Sequence, residues 1–166
     1  MTEDSKYAIM FVCSGNTCRS PMAEYALRFL IERERPGAAE VYSAGTLGLQ
    51  GQPATRYAQE AGRVWDLDMS HHRNQPLTGE LIERADLIFA MAPEHHQEIL
   101  EIVPKAAAKT YLLKNFPDNS GTGERVEDPI GMDLDTYNGV FLEIGEYLGK
   151  HLPEILNCID GKQHAE

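Results

Sequence analysis

The stretch from Ala8 to Glu24 constrains this chain more than any other. It reads Ala-Ile-Met-Phe-Val, then Cys-Ser-Gly-Asn-Thr-Cys-Arg-Ser, then Pro-Met-Ala-Glu. Consecutive apolar residues with no polar face are the pattern of a strand buried on both sides of a parallel sheet. Cys13 ends that run, a short loop follows, and Pro21 suits the first turn of a helix, where its missing N–H costs nothing. A loop that opens a helix points its free N–H groups inward, with the positive end of the helix dipole behind them. Such a nest binds a dianion such as phosphate.

Two residues make the nest reactive. Cys13 stands at its base, in the electropositive setting that favours a nucleophilic sulfur. Arg19 can fold back over the mouth, and its planar fork can hold two phosphate oxygens at once. A sulfur nucleophile beneath a phosphorus, with donors around the equatorial oxygens, is the geometry of in-line phosphoryl transfer. Backbone amides of Ser14, Gly15, Asn16, Thr17, Cys18 and Ser20 would complete the phosphate cradle.

The rest of the chain alternates strand-like and helix-like patterns. Strands are expected at residues 6–13, 40–44, 86–91 and 109–113. Helices are expected at 20–34, 54–61 (stopped by Gly62), after a Thr78 cap, at 93–103, and from Asp133 to His151. This order implies an α/β fold: one doubly wound domain over residues 1–166, a four-stranded parallel sheet flanked by helices, with ligands at the strands' carboxyl ends. Residues 1–5 and 157–166 are expected to fray.

Charge and cysteine content exclude several classes. A net charge of −11 leaves no basic face for nucleic acid, so the chain should not bind it. No apolar run is long enough to span a bilayer and no basic-then-apolar leader opens the chain, so no membrane association is expected. Three cysteines without scaffold spacing fit a reducing cytoplasm. The pairs His71-His72 and His95-His96 lack the spacing of a metal site, so neither a metal nor another cofactor is expected.

The leaving group needs a proton from a carboxylic acid opposite Cys13. Asp118, Asp128, Asp133 and Asp135 all qualify by position, in the late loop or at the start of the last helix.

The signature Val12-Cys-Ser-Gly-Asn-Thr-Cys-Arg-Ser-Pro-Met-Ala-Glu24 resembles the low-molecular-weight protein tyrosine phosphatases, as do Ser43-Ala44-Gly45-Thr46, Ala85-Asp86-Leu87 and Asp128-Pro129. The resemblance implies a metal-independent, cysteine-dependent hydrolase that works through a cysteinyl-phosphate. It chooses Asp128 as general acid, since that family carries the acid in a late Asp-Pro pair and this chain has one such pair. It implies that Asn16 staples the loop and that Ser20 stabilises the Cys13 sulfur. His72, with His71 as the neighbouring alternative, resembles the histidine that orients this network. Cys18 resembles a vicinal cysteine that can trap an oxidised nucleophile as a disulfide.

Where phosphotyrosine-directed relatives place aromatic pocket walls, this chain has Leu49 and Ile130. Thr17 resembles the branch that acts on protein phosphoarginine. The resemblance therefore implies phosphotyrosine hydrolysis, with phosphoarginine as the alternative. The expected partners are a phosphorylated protein substrate, and inorganic phosphate as product and inhibitor, with the enzyme a monomer or weak dimer. Arsenate reduction would need redox cysteines between Cys18 and Cys158, where there are none. A non-catalytic anion-binding module would not need the thiol.

Overall fold

The structure, a computed structural model, describes residues 6–165. Four strands, β1 (Tyr7–Cys13), β2 (Ala39–Gly45), β3 (Leu87–Ala90) and β4 (Thr110–Leu112), form one sheet in the order β2-β1-β3-β4. Every pairing is parallel. The four-stranded parallel α/β architecture expected from the sequence is the one observed.

Burial explains the run of apolar residues in β1, whose seven residues are all buried. Ile9, Phe11 and Cys13 pack on one side of the sheet, with α1 (Arg19–Glu34), α2 (Arg56–Arg63) and α5 (Leu134–Ala165). Ala8, Met10 and Val12 pack on the other, with α3 (Gly79–Arg84) and α4 (Pro93–Ile102). The side-chain period of two thus feeds two separate cores, and both faces must be apolar.

The ends of β1 and β2 pair Cys13 with Gly45. Gly45 has to be glycine, because a Cβ there would come within 2.6 Å of Ser14 O and 3.0 Å of Asn16 Cβ. The bare backbone of β2 lets the loop after β1 lie against it.

Three boundaries differ from the sequence expectations by two residues or more. The helix expected at 54–61 begins two residues later, because Thr55 is its cap and accepts from Ala58 N. Gly62 does not stop this helix; it lies in the last turn, where Met69 Sδ would meet any Cβ at 2.9 Å. The last helix runs past His151 to Ala165, with Pro153 inside it. Residues 157–165 are therefore helical rather than frayed: Ile155 and Ile159 are fully buried, and Arg35 pairs with Asp160 at 3.0 Å. The fraying expected for residues 1–5 lies outside the described residues. No helix among the described residues is long and apolar enough to cross a membrane.

Candidate active site

The loop between β1 and α1 is held by its carbonyls. Thr46 N donates to Cys13 O and Leu47 N to Ser14 O, each at 3.0 Å. Asn74 Nδ2 donates to Gly15 O at 3.0 Å, and His72 Nε2 lies 2.8 Å from Asn16 O. Thr55 N donates to Thr17 O at 3.0 Å, and Met22 N to Cys18 O at 3.1 Å. Six successive carbonyls are thus tied to groups outside the loop. Among the described residues, the N–H groups of Ser14 to Cys18 donate to none of these partners or to any other. A loop whose acceptors are all committed and whose donors are all spare is built for an anion.

Asn16 holds the sharpest bend, with φ of 58°. Asn tolerates the left-handed region, and here its side chain repays the strain locally. Its Oδ1 accepts from Gln75 N at 3.0 Å, while its Nδ2 donates to Ser20 Oγ at 2.7 Å and Ser43 Oγ at 2.8 Å. Ser43 Oγ in turn donates to Glu24 Oε1 at 2.6 Å. Glu24 is 7% exposed, is paired with Arg28, and faces His72 Nδ1 at 4.0 Å. Because Ser20 Oγ already accepts from Asn16, its own hydrogen is free for Cys13 Sγ, 2.9 Å away. The chain of donors ends on the sulfur.

Arg19 is 3% exposed and lies over the loop. Its Nη1 donates to Val126 O at 3.1 Å, and its Nη2 lies 3.4 Å from both Ser14 Oγ and Asp128 Oδ2. The guanidinium therefore links the loop to the segment that carries Asp128. That carboxylate is half-exposed and shares a pocket of about 280 Å³ with Cys13, Ser14, Gly15, Thr17, Cys18, Arg19, Leu49 and Ile130.

The three competing carboxylates lie elsewhere. Asp133 Oδ1 caps α5 by accepting from Thr136 N and Oγ1, which hold its carboxyl below the ordinary range. Asp118 Oδ1 accepts from Ser120 N in an exposed turn, and Asp135 is exposed on α5.

Cys18 is buried, 3.3 Å from Tyr137 Oη and 3.6 Å from Thr55 Oγ1. Burial raises its thiol, and burial together with the sulfur pushes Tyr137 up to about 12. Both groups stay protonated at neutral pH. Of the two adjacent histidines, His72 is buried against the loop, while His71 is exposed beside Ser70. Cys158 is half-buried on α5, away from the pocket. Among the described residues no cluster of His, Cys, Asp and Glu could hold a metal ion.

Several participants escaped the sequence reading. Leu47 and Gln52 complete the pocket rim. Glu24 braces the loop from α1, and Ser43, Asn74 and Thr55 brace it from distant positions. His95 lies beneath it, with Nε2 2.9 Å from Ser14 Oγ. Thr55 and Asn74 stand just before Arg56 and Gln75, and nothing in their spacing ties them to Cys13. A roomier groove of about 380 Å³ lies between α1, Trp65 and α5, lined mainly by apolar side chains and containing no nucleophile.

A family model described as low molecular weight phosphotyrosine protein phosphatase matches residues 8–160. A protein-arginine-phosphatase of Bacillus subtilis (strain 168) is 38% identical over 141 residues, 84% of this chain and 91% of the relative. A low molecular weight protein-tyrosine-phosphatase, Ptp, of Acinetobacter johnsonii is 39% identical over 115 residues, covering 66% of this chain and 78% of the relative. The crystal structure of a YwlE mutant from Bacillus subtilis superposes with a TM-score of 0.82 at 36% identity, over 92% of this chain and 99% of that one.

Proposed function

This chain belongs to the low molecular weight phosphotyrosine protein phosphatase family, a family of cysteine-based protein phosphatases, and from that premise we propose how its residues share the work. Cys13 sulfur attacks the phosphorus of a phosphorylated side chain, forming an S–P bond as the bond to the leaving group breaks. The loop amides and Arg19 take up the charge on the equatorial oxygens. Asp128 gives its proton to the departing atom. In the second step Asp128, now a carboxylate, takes a proton from water. The water oxygen attacks phosphorus, the S–P bond breaks, and Ser20 stabilises the sulfur that leaves. Asn16, His72 and Glu24 hold Ser20 and the loop in place.

One observation carries this reading: Cys13, Arg19 and Asp128 line a single pocket, with Asp128 Oδ2 3.4 Å from the guanidinium that arches over the sulfur's loop. Phosphotyrosine is the leading substrate, since Leu49 and Ile130 offer apolar area to bury an aromatic ring. A second reading, phosphoarginine, is favoured by the Thr17 hydroxyl in the pocket and by the name borne by the Bacillus subtilis relative. Inorganic phosphate is the product and should compete with substrate. The protein would act as a monomer or weak dimer in the cytoplasm, where its three free thiols stay reduced.

The test is turnover of phosphotyrosine and phosphoarginine peptides side by side, by the native protein and by Cys13→Ser. Phosphate release that disappears in Cys13→Ser supports the mechanism, and the ratio of the two native rates assigns the substrate. Release that persists in Cys13→Ser removes the sulfur from the reaction.

A further inference from the structure

We propose that His95 is a positioning residue that commits the Ser14 hydroxyl to donate its hydrogen to the substrate's phosphoryl group, an inference that rests on the phosphatase reading of the pocket. His95 sits in the first turn of α4 and is 1% exposed. Its Nε2 is 2.9 Å from Ser14 Oγ. Ser14 lines the pocket, and its Oγ also faces Arg19 Nη2 at 3.4 Å. A guanidinium only donates, so that contact occupies one Oγ lone pair.

Two neutral tautomers of His95 remain. With the hydrogen on Nδ1, Ser14 must give its proton to Nε2, away from the pocket. The Nδ1–H is then buried with no partner among the described residues. With the hydrogen on Nε2, His95 donates to Ser14 Oγ and what remains at Nδ1 is a bare lone pair. An orphaned buried N–H is the rarer of the two. The second tautomer therefore prevails. Both Oγ lone pairs are then occupied, by Arg19 and by His95. The hydroxyl hydrogen is the one group left uncommitted, and the pocket is where it can go. A serine that could either accept or donate becomes a donor only, which suits an anion and opposes any ligand that offers a hydrogen there.

The surroundings keep the imidazole neutral and in place. Burial, and next to it the Arg19 charge, hold its pKa down to about 4. Its helix is pinned beside the Asp128 segment, because Arg125 Nη1 pairs with Glu94 Oε2 at 2.7 Å and Val126 N donates to Met91 O at 2.8 Å. His95 thereby braces the loop from the side opposite the Asn16–Ser43–Glu24 chain.

The native protein itself supplies the first test. Long-range 15N NMR of the His95 ring should show hydrogen on Nε2; hydrogen on Nδ1 overturns the proposal without touching the phosphatase reading. The second test is the inhibition constant of inorganic phosphate against para-nitrophenyl phosphate hydrolysis. Ser14→Ala and His95→Leu should each weaken phosphate roughly 10- to 100-fold, the scale for a hydrogen bond to a charged group. The double variant should bind phosphate no worse than Ser14→Ala, because His95 acts through that hydroxyl. His95→Gln, whose amide can still donate to Oγ, should stay within about threefold of native. Additive losses in the double variant, or a folded His95→Gln as impaired as His95→Leu, overturn the proposal. Cys13→Ser judges the phosphatase reading separately, through turnover.

Discussion

The pocket has a floor and a lip, and they are built by different rules. The floor, Cys13 to Ser20, is fixed by partners from several elements: Asn16 is fully buried, and every carbonyl from Cys13 to Cys18 is claimed. The lip consists of Leu47, Leu49, Gln52, Asp128 and Ile130, all exposed. Ile130 N donates only to the nearby Asp128 Oδ1, at 3.1 Å. Chemistry that demands fixed donors belongs on the over-determined floor. Discrimination between leaving groups belongs to the lip, where a side chain can change without disturbing the fold. Asp128 is the one lip residue to which we assign a part in the chemistry, and its contact with Arg19 joins the two regions.

That division makes its largest demand on Asp128. Asp128→Ala should slow hydrolysis of phosphotyrosine peptides on the order of 10²–10⁴-fold, the usual scale of general acid catalysis. Substrates whose leaving group needs no proton should be slowed far less, because the lip serves the departing fragment. Steady-state rates across aryl phosphates of graded leaving-group acidity would show this. A loss that is the same for all of them would place Asp128 among the floor residues.

Arg19→Lys gives the opposite pattern. It keeps the charge but loses the planar fork, the Val126 contact and the Ser14 contact. Turnover should fall on the order of 10²–10³-fold, as when a preorganised donor to a transition state is removed. The fall should depend on the leaving group far less than in Asp128→Ala, since in the proposed mechanism Arg19 meets the phosphoryl group and reaches the lip through Asp128 alone. A strong leaving-group dependence in this variant would blur the line between the two regions.

The floor was legible in the sequence, with one of its supports, His72; the other supports were not. Cys13, Asn16, Arg19 and Ser20 are read together because one loop carries them, and a loop between a buried strand and a helix has few possible shapes. Ser43, Asn74 and His95 reach it from other elements, and their positions depend on how β2, the 70–76 segment and α4 close around the sheet. Nothing local distinguishes these from ordinary polar residues. His95-His96 drew attention only as a possible metal pair, and its neighbour His96 in fact faces the 120–121 turn. The sheet was legible because its strands are apolar on both faces. The extent of α5 was not: Pro153 reads as a stop, costing a hydrogen bond inside a helix. Burial of Ile155 and Ile159 overrides that local cost.

The buried support also makes the protein's stability sensitive to pH. His95, His96 and His151 all have pKa values lowered by burial, His95 to about 4. Between pH 6.5 and 4 the unfolded chain binds a proton that folded His95 refuses, so stability falls as pH drops through that window. For His95 alone the loss should be about 2 kcal/mol at pH 5, roughly 30-fold in the folding equilibrium. Urea unfolding at pH 7.5 and pH 5 measures it, and His95→Gln should show a shallower decline than native. Equal declines in the two proteins would mean that His95 is not held neutral beneath the loop.

The smallest effect should come from Thr17, where floor and lip meet. Its backbone belongs to the loop, with Thr17 O accepting from Thr55 N, yet its side chain lines the pocket. Thr17→Val keeps the shape and removes the hydroxyl. Since the loop's carbonyl anchors are untouched, turnover of para-nitrophenyl phosphate should barely change. The hydroxyl is the polar group placed to meet a guanidinium or a water beside it. Its loss should lower the rate on phosphoarginine peptides relative to phosphotyrosine peptides by roughly 2- to 10-fold, the worth of one neutral hydrogen bond. An unchanged ratio would hand substrate choice to Leu49 and Ile130, and selectivity would then lie wholly in the lip. A drop in both rates together would show that Thr17 acts as floor, through the loop's geometry rather than through its hydroxyl.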